Sequence, residues 1–197
     1  CLWFVFQYLR QQQHNIDYDV ITIPLTDDKK PVRNLEALLE AEGRDPASVV
    51  RSLLFKTGSD TFALLAVAGG GRADWATLRK HLGERKLKMA DFDQVEQATG
   101  YVIGAVPPIA LPDNLTVLLD NNIDGYDTVI IGSGVLGYAL ALSSQSLRKV
   151  MANTAQSGQF IKLEEWKRPR LFPPAAAIVT PYVDNGITLN PLFYLLA

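Results

Sequence analysis

Three kinds of residue in this chain are candidates for chemistry: its cysteine, its histidines and a few charged side chains. The only cysteine is Cys1 and the only histidines are His14 and His81, and none stands in a metal-ligand spacing. The sequence therefore predicts no metal, no other cofactor and no internal disulfide framework. Both histidines have polar neighbours, which favours a solvated or structural role. The scarcity of cysteine fits a reducing compartment, and we expect a cytoplasmic protein.

Lys56 ends the apolar run Ser52-Leu-Leu-Phe-Lys56, which is typical of a strand. Strand alternation places Lys56 on the same face as Leu54, either as a solvated edge residue or as a charge directed into a cleft. The local pattern alone favours the edge, which lysines commonly protect. A basic stretch follows with a local net charge of about +4 in a chain of net charge −2, and it fits a solvated helix face as well as a phosphate-contacting patch. Its residues are Arg72, Arg79, Lys80, Arg85, Lys86 and Lys88, against Asp74 and Glu84.

A glycine-rich segment, Gly132-Ser-Gly134-Val-Leu-Gly137, matches the dinucleotide-binding pattern G-x-G-x-x-G. That function requires a helix opening within the motif and an acidic residue about 20 positions on. Here a β-like run, 138–142, follows at once, and residues 150–163 contain no Asp or Glu. A glycine turn between two strands is therefore the favoured interpretation.

The sequence patterns of the helices and strands that position these residues predict an α+β domain. An amphipathic helix begins the chain, and helices capped by Asp74, by Asp91 and by Ser143 or Ser144 follow later. Strands outnumber long helices without alternating regularly with them, which favours a mixed, largely antiparallel, barrel-like sheet flanked by helices. The predicted strands cover 16–23, a hairpin of 49–56 with 62–68, 116–119, 128–131 and 138–142, and a short helix begins near residue 35.

Composition changes near residue 157, where Lys167-Arg168-Pro169-Arg170 and Pro173-Pro174 mark a different kind of segment. We expect one domain over residues 1–156 and an appendage of unknown role over 157–197. No run reaches the roughly 18 apolar residues that a membrane span needs, so a membrane partner is not expected.

The segment 101–111 combines prolines with apolar residues, and it belongs to the run Ala98-Thr-Gly-Tyr-Val-Ile-Gly-Ala-Val-Pro-Pro-Ile-Ala-Leu111. This run closely resembles the signature loop of the YbaK/prolyl-tRNA synthetase-associated editing domains, T-G-Y-x-x-G-x-x-P-P-[FI]-G. In the same order as in that family, Ser52 to Lys56 resembles the strand with the functional lysine, and Lys88-Met-Ala-Asp91 resembles the stretch before the signature helix. Gly132-Ser-Gly134 with the following strand and capped helix resembles the closing elements, so the resemblance covers roughly Ile16 to Ala155.

The resemblance implies a barrel-like mixed sheet and hydrolysis of the ester between a wrong amino acid and tRNA, often tRNA(Pro) charged with alanine or cysteine, without a cofactor. It assigns catalytic roles to Lys56 and Gly104. The glycine brings a backbone N–H close to the aminoacyl group, and the lysine pairs with terminal tRNA phosphates or orients the ester. For Asp120, turn capping is an equally good interpretation. Substrate-binding roles are implied for Thr99, Gly100, Ile103, Ala105, Val106, Pro107, Pro108, Asp120, Gly132, Ser133 and Gly134.

The sequence departs from the family pattern at four places. Ala110 replaces the usual glycine after the proline pair, Val135-Leu136 stands where many members have a basic residue, Ala139 where some have aspartate, and Ile23 where members often have His before Pro. These departures bear on the last turn of the loop, on tRNA contact and on amino-acid choice. The expected partner is the acceptor end of a mischarged tRNA, with an aminoacyl-tRNA synthetase as a second candidate and no DNA. A non-catalytic tRNA- or synthetase-binding module of the same fold is the alternative function.

Overall fold

The structure of this protein, a computed structural model, describes residues 2–11, 16–27 and 35–162. The predictions for Cys1, His14 and residues 163–197 lie outside these described residues. The helices are α1 (Leu2–Gln11), α2 (Leu35–Ala41), α3 (Trp75–Leu82), α4 (Phe92–Thr99) and α5 (Ser144–Met151). The strands are β1 (Tyr18–Thr22), β2 (Val50–Thr57), β3 (Phe62–Ala68), β4 (Arg72–Ala73), β5 (Leu87–Met89), β6 (Thr116–Asp120), β7 (Thr128–Gly132), β8 (Tyr138–Ser143), β9 (Ala155–Gly158) and β10 (Ile161–Lys162).

The strands form a five-stranded sheet in the order β5-β2-β3-β6-β9, a three-stranded sheet in the order β1-β8-β7 and a two-stranded sheet of β10 and β4. Pairing is antiparallel except between β3 and β6 and between β6 and β9. A parallel bridge between Val49 and Ile130 connects the five-stranded sheet with the three-stranded one. The predicted α+β class, with a mixed and largely antiparallel sheet, is confirmed.

The helix starts follow from local side-chain chemistry. Asp74 accepts a hydrogen bond from the N–H of Thr77 at 3.3 Å and so caps α3. Asp91 and Gln94 form a capping box at the start of α4, with side chain-to-backbone distances of 2.9 and 3.1 Å. Of the two predicted caps for α5, Ser143 is the one that accepts from the backbone. Each bond satisfies an N–H that has no partner within its helix.

Both faces of the five-stranded sheet are buried at its central strands, which explains the nearly continuous apolar run of β3. On one face, Leu54 and Leu64 belong to a cluster that also contains side chains of α1, α4, α5, β7 and β8. On the other face, Leu53 and Leu65 pack with Leu78 of α3. Within α1, Val5 and Leu9 are buried, as its amphipathic pattern predicts.

The last described segment adds one strand to each of two sheets. β9 pairs with β6, and β10 pairs with β4, so residues 157–162 of the predicted appendage contact the body of the domain. The Phe160 side chain between these two strands is 2% exposed, and its N–H donates to Oδ2 of Asp120 at 2.7 Å. These contacts require the folded sheet, which is why the local change in composition did not reveal them. No helix among the described residues is long and apolar enough to cross a membrane.

Candidate functional site

The segment 101–111, called the signature loop below, is largely buried although it has no regular secondary structure. Tyr101 ties its two ends together by donating its hydroxyl to the carbonyl oxygen of Ala110 at 2.8 Å. Burial raises the pKa of the Tyr101 phenol, which keeps the donor protonated. Thr99 holds the loop entrance, because its hydroxyl donates to Val95 at 2.6 Å and accepts from the N–H of Tyr101 at 3.1 Å.

The signature loop packs against residues 132–137, called the glycine turn below, which join β7 to β8. The N–H of Gly134 donates to the carbonyl oxygen of Ala105 at 2.8 Å. A Cβ on Gly132 would stand 2.6 Å from the carbonyl oxygen of Val106, and one on Gly134 would stand 2.8 Å from the Tyr101 ring. The two segments therefore fit together only with glycine at both positions. A strand follows this turn, so the predicted turn between strands is confirmed in place of a nucleotide-binding loop.

Gly104 adopts a φ of +90°, a conformation that side chains other than glycine rarely adopt. Its N–H has no hydrogen-bond partner among the described residues. Leu136 lies directly beside it, with Cδ2 only 3.3 Å from the position that a Cβ of Gly104 would take. An apolar side chain thus stands against Gly104 at a position where the sequence resemblance anticipates a basic residue.

An apolar cavity of about 200 Å³ lies between β2, β3, the start of α4 and the signature loop. Ile103 and Val106 supply the loop side, so two of the predicted substrate-binding residues border it. Ser52 is 5% exposed, and its Oγ has no hydrogen-bond partner among the described residues. The full lining is Ser52, Leu54, Leu64, Met89, Ala90, Asp91, Phe92, Val95, Ile103 and Val106.

Ser52 is the candidate residue that the sequence interpretation missed. It stands on β2 two and four residues before Leu54 and Lys56, so all three share one face of the strand. Strand alternation was thus the available signal, but only the folded structure shows that this hydroxyl is buried beside a cavity.

A wider hollow of about 380 Å³ lies near Arg44 and Tyr126, and none of the predicted site residues lines it.

Lys56 lies at the hairpin end of β2 and is not among the residues that line the cavity. Its Nζ pairs with Oδ1 of Asp60 at 2.8 Å, and the Lys56 side chain is 23% exposed. The hydrogen bond from Lys56, followed by the attraction of its charge, lowers the pKa of the Asp60 carboxyl. Lys88 is directly opposite Lys56 in the pairing of β2 with β5, so two positive charges meet at this edge.

Several predicted site residues hold the backbone in place and do not border the cavity. Both carboxylate oxygens of Asp120 accept backbone N–H groups, from Asn122 at 2.9 Å and from Phe160 at 2.7 Å. The hydroxyl proton of Ser133 is shared between the carbonyl oxygens of Val135 and Tyr138, at 2.9 and 2.7 Å. Thr99 also bonds the backbone, as described above. Gly100 ends α4 in the left-handed conformation. The prolines and Ala105 are buried in the signature loop. Substrate contact by these residues stays a prediction.

The last turn of the signature loop carries one of the departures from the family pattern. Ala110 adopts a φ of +54°, in the left-handed region that glycine occupies without cost. An alanine there costs about 1–2 kcal/mol.

No group of three or more His, Cys, Asp or Glu side chains in the described part of the chain is arranged to hold a metal ion.

Solved structures define the class of fold. The chain matches a structure described as "a putative trans-editing enzyme for prolyl tRNA synthetase" with a TM-score of 0.66 at 23% identity, covering 82% of this chain and 96% of that chain. It also matches "hypothetical protein APE2540" with a TM-score of 0.67 at 19% identity, covering 81% of this chain and 99% of that one. At these identities the likeness shows a shared fold.

The family follows from the sequence comparison. A model of the "Aminoacyl-tRNA editing domain" family matches residues 29–150, and the chain belongs to that family. The family predicted from the signature loop is therefore confirmed. Members of this family edit aminoacyl-tRNA, and some are associated with prolyl-tRNA synthetase.

Two kinds of curated relative are similar to the chain. One is "Proline--tRNA ligase" of Thermoanaerobacter pseudethanolicus, 31% identical over 166 residues that make up 83% of this chain and 28% of the ligase. The other is "Putative Cys-tRNA(Pro)/Cys-tRNA(Cys) deacylase EbsC" of Enterococcus faecalis, 23% identical over 153 residues, or 77% of this chain and 88% of the relative. The chain spans only 18% of another relative, the Brachyspira hyodysenteriae proline ligase.

Proposed function

We propose that this protein is a trans-editing aminoacyl-tRNA deacylase that hydrolyses the ester of a small non-cognate amino acid on tRNA. The observation that carries the proposal is the small apolar cavity, closed on one side by Ile103 and Val106 of the signature loop. Membership of the editing-domain family supports the reaction class. The names of the ligase and deacylase relatives support tRNA(Pro) as the tRNA.

The size and lining of the cavity favour a small amino-acid side chain. Its volume of about 200 Å³ is below the roughly 300–1,000 Å³ of pockets that enclose drug-sized ligands. Most of its lining is apolar, and Ser52 contributes the one hydroxyl. A side chain of a few atoms fits such a space, and larger ones are excluded by shape.

The reaction requires little from the protein because an aminoacyl ester is already activated. Water adds to the ester carbonyl carbon, and the negative charge that develops on the carbonyl oxygen is stabilised by a backbone N–H, for which the unpaired Gly104 N–H is the candidate. The carbon–oxygen bond to the ribose then breaks, the ribose oxygen takes up a proton, and the free amino acid leaves. Ser52 positions the aminoacyl group by a hydrogen bond from inside the cavity.

Lys56 binds the acceptor end electrostatically in this proposal. Its present partner, Asp60, is an exposed carboxylate, and surface ion pairs of this kind contribute little free energy. A tRNA phosphate can therefore replace Asp60 at Lys56, with Lys88 beside it providing a second charge. Such binding weakens steeply as the salt concentration rises. We propose that the protein acts in the cytoplasm beside an aminoacyl-tRNA synthetase.

A second candidate is a non-catalytic tRNA- or synthetase-binding module. It is favoured by one observation: Leu136 stands directly against Gly104, where an apolar side chain contributes no charge to substrate binding. Turnover separates the two functions, because a binding module retains affinity for tRNA without hydrolysing the ester.

A deacylation panel tests the proposal. We expect the protein to release alanine, cysteine or serine from tRNA(Pro) and to leave prolyl-tRNA(Pro) intact. Lys56→Ala should lower kcat/KM by about 10- to 150-fold, the effect of losing one charged hydrogen bond. Lys149→Ala, which removes an exposed lysine of α5, is the matched control and should leave kcat/KM unchanged. Binding without turnover on every substrate would establish the non-catalytic module instead.

A further inference from the structure

Phe92 is a large apolar side chain that faces solvent, at 64% exposure. Phenylalanine normally lies in the core, where full burial contributes about 1.5–3 kcal/mol in other proteins. The ring is not needed to start α4, since the capping box uses Asp91 and Gln94 alone. Fold stability therefore does not explain why this aromatic ring faces solvent.

The position of Phe92 connects it with the candidate site. The residue lines the apolar cavity and is also exposed, so it forms part of the cavity rim. In an aminoacyl-tRNA the amino acid is esterified to the terminal ribose, and the terminal adenine is attached to that same ribose. A substrate with its aminoacyl group in the cavity therefore carries its terminal base at the rim.

The charges nearby agree with this orientation. Lys88 is exposed and stands four residues before Phe92, next to Lys56 in the strand pairing. The phosphates that precede the terminal nucleoside carry the complementary charge. The Asp91 carboxylate already caps the start of α4, and its negative charge disfavours a phosphate at that helix end.

We propose that Phe92 is a stacking platform for the terminal adenine of the tRNA acceptor end. The inference rests on the proposed function, because it takes the aminoacyl group to occupy the cavity. Base–aromatic stacking needs only an exposed ring, and RNA-binding proteins use it to hold unpaired bases. Phe92 thus contributes affinity for the end of tRNA, whichever small amino acid is attached.

The test uses a non-hydrolysable probe, a CCA trinucleotide with alanine joined to its 3′ end by an amide, and a second probe that lacks the terminal base. Phe92→Ala should weaken binding of the complete probe by about 5- to 150-fold. Both proteins should bind the abasic probe equally, and Phe92→Trp should bind the complete probe at least as well as the wild type. Val20→Ala, at an exposed apolar residue of β1, is the control and should change neither affinity.

Equal weakening of both probes by Phe92→Ala would overturn the stacking role, and so would unchanged affinity for the complete probe or no wild-type binding at millimolar concentration. The thermal midpoint of Phe92→Ala should match that of the wild type, because the ring is exposed. Since the probes are not hydrolysed, base-dependent binding in a protein without deacylase activity would retain the adenine site and reject only the enzymatic function.

Discussion

The unpaired hydroxyl of Ser52 leads to a prediction in which stability and activity change in opposite directions. A buried polar group without a hydrogen bond costs about 1–3 kcal/mol. Ser52→Ala removes that group and keeps Cβ, so the free energy of unfolding should rise by about 1 kcal/mol. The low end applies because the hydroxyl borders a cavity of about 200 Å³, which has room for water. For a protein of this size the thermal midpoint should rise by about 2–4 °C.

Activity should fall in the same variant. If Ser52 donates a hydrogen bond to the bound aminoacyl group, its loss removes about 0.5–1.5 kcal/mol of net stabilisation, which lowers kcat/KM by about 2- to 12-fold. Calorimetry on the free protein measures the first effect. Deacylation of the best substrate in the panel, at substrate concentrations well below KM, measures the second.

Ser133 provides a matched control, because it is also buried but its hydroxyl is hydrogen-bonded, with two carbonyl oxygens at 2.9 and 2.7 Å sharing its proton. Ser133→Ala removes the shared donor and also the acceptor of the Val135 N–H, so it should lower the thermal midpoint. If Ser52→Ala lowers the midpoint in the same way, its hydroxyl has a partner in the folded protein and the reasoning fails. If the midpoint rises while kcat/KM is unchanged, Ser52 does not contact the substrate.

Three further predictions concern the loop and its charges. Gly132→Ala should lower the free energy of unfolding, measured with urea, by about 1–3 kcal/mol, because its Cβ would stand 2.6 Å from a carbonyl oxygen of the signature loop. Gly70→Ala is the control and should cost far less, because a Cβ there has nothing within 4 Å. Ala110→Gly should stabilise by about 0.5 kcal/mol in the same assay, since relief of left-handed strain slightly exceeds the entropy that glycine adds to the unfolded chain. Asp60→Asn should tighten binding of acceptor-end RNA at low salt, because it releases Lys56; filter binding against salt concentration measures this.

The two stability predictions each have a contrary result. Equal stability of the two Gly→Ala variants would mean that the signature loop moves freely away from the glycine turn. A destabilised Ala110→Gly variant would show that the methyl group packs more favourably than its φ costs. For Asp60 there is also a pH test: its lowered pKa keeps the carboxylate charged down to a lower pH, so wild-type binding should approach that of Asp60→Asn only as the pH falls through that value.

The features that the sequence predicts correctly depend on neighbouring residues. The caps at Asp74 and Asp91 and the hairpin of β2 with β3 arise from short local patterns, and all are present. The short strands β4, β5, β9 and β10 went unpredicted, because strands of two to four residues are held by partners distant in sequence. The contact of Leu136 with Gly104 could not be predicted for the same reason, because it depends on the packing of two segments that are distant in sequence.

The bond between Phe160 and Asp120 has a practical consequence for truncation and fusion. Asp120 is 1% exposed, and one of its two oxygens relies on the N–H of Phe160. Cutting the chain after residue 156 would remove that donor together with β10, and a buried carboxylate that loses a partner is costly. We therefore expect a stable fragment to extend through Lys162, and a tag joined at residue 157 would remove both the N–H that bonds Asp120 and the strand that pairs with β4.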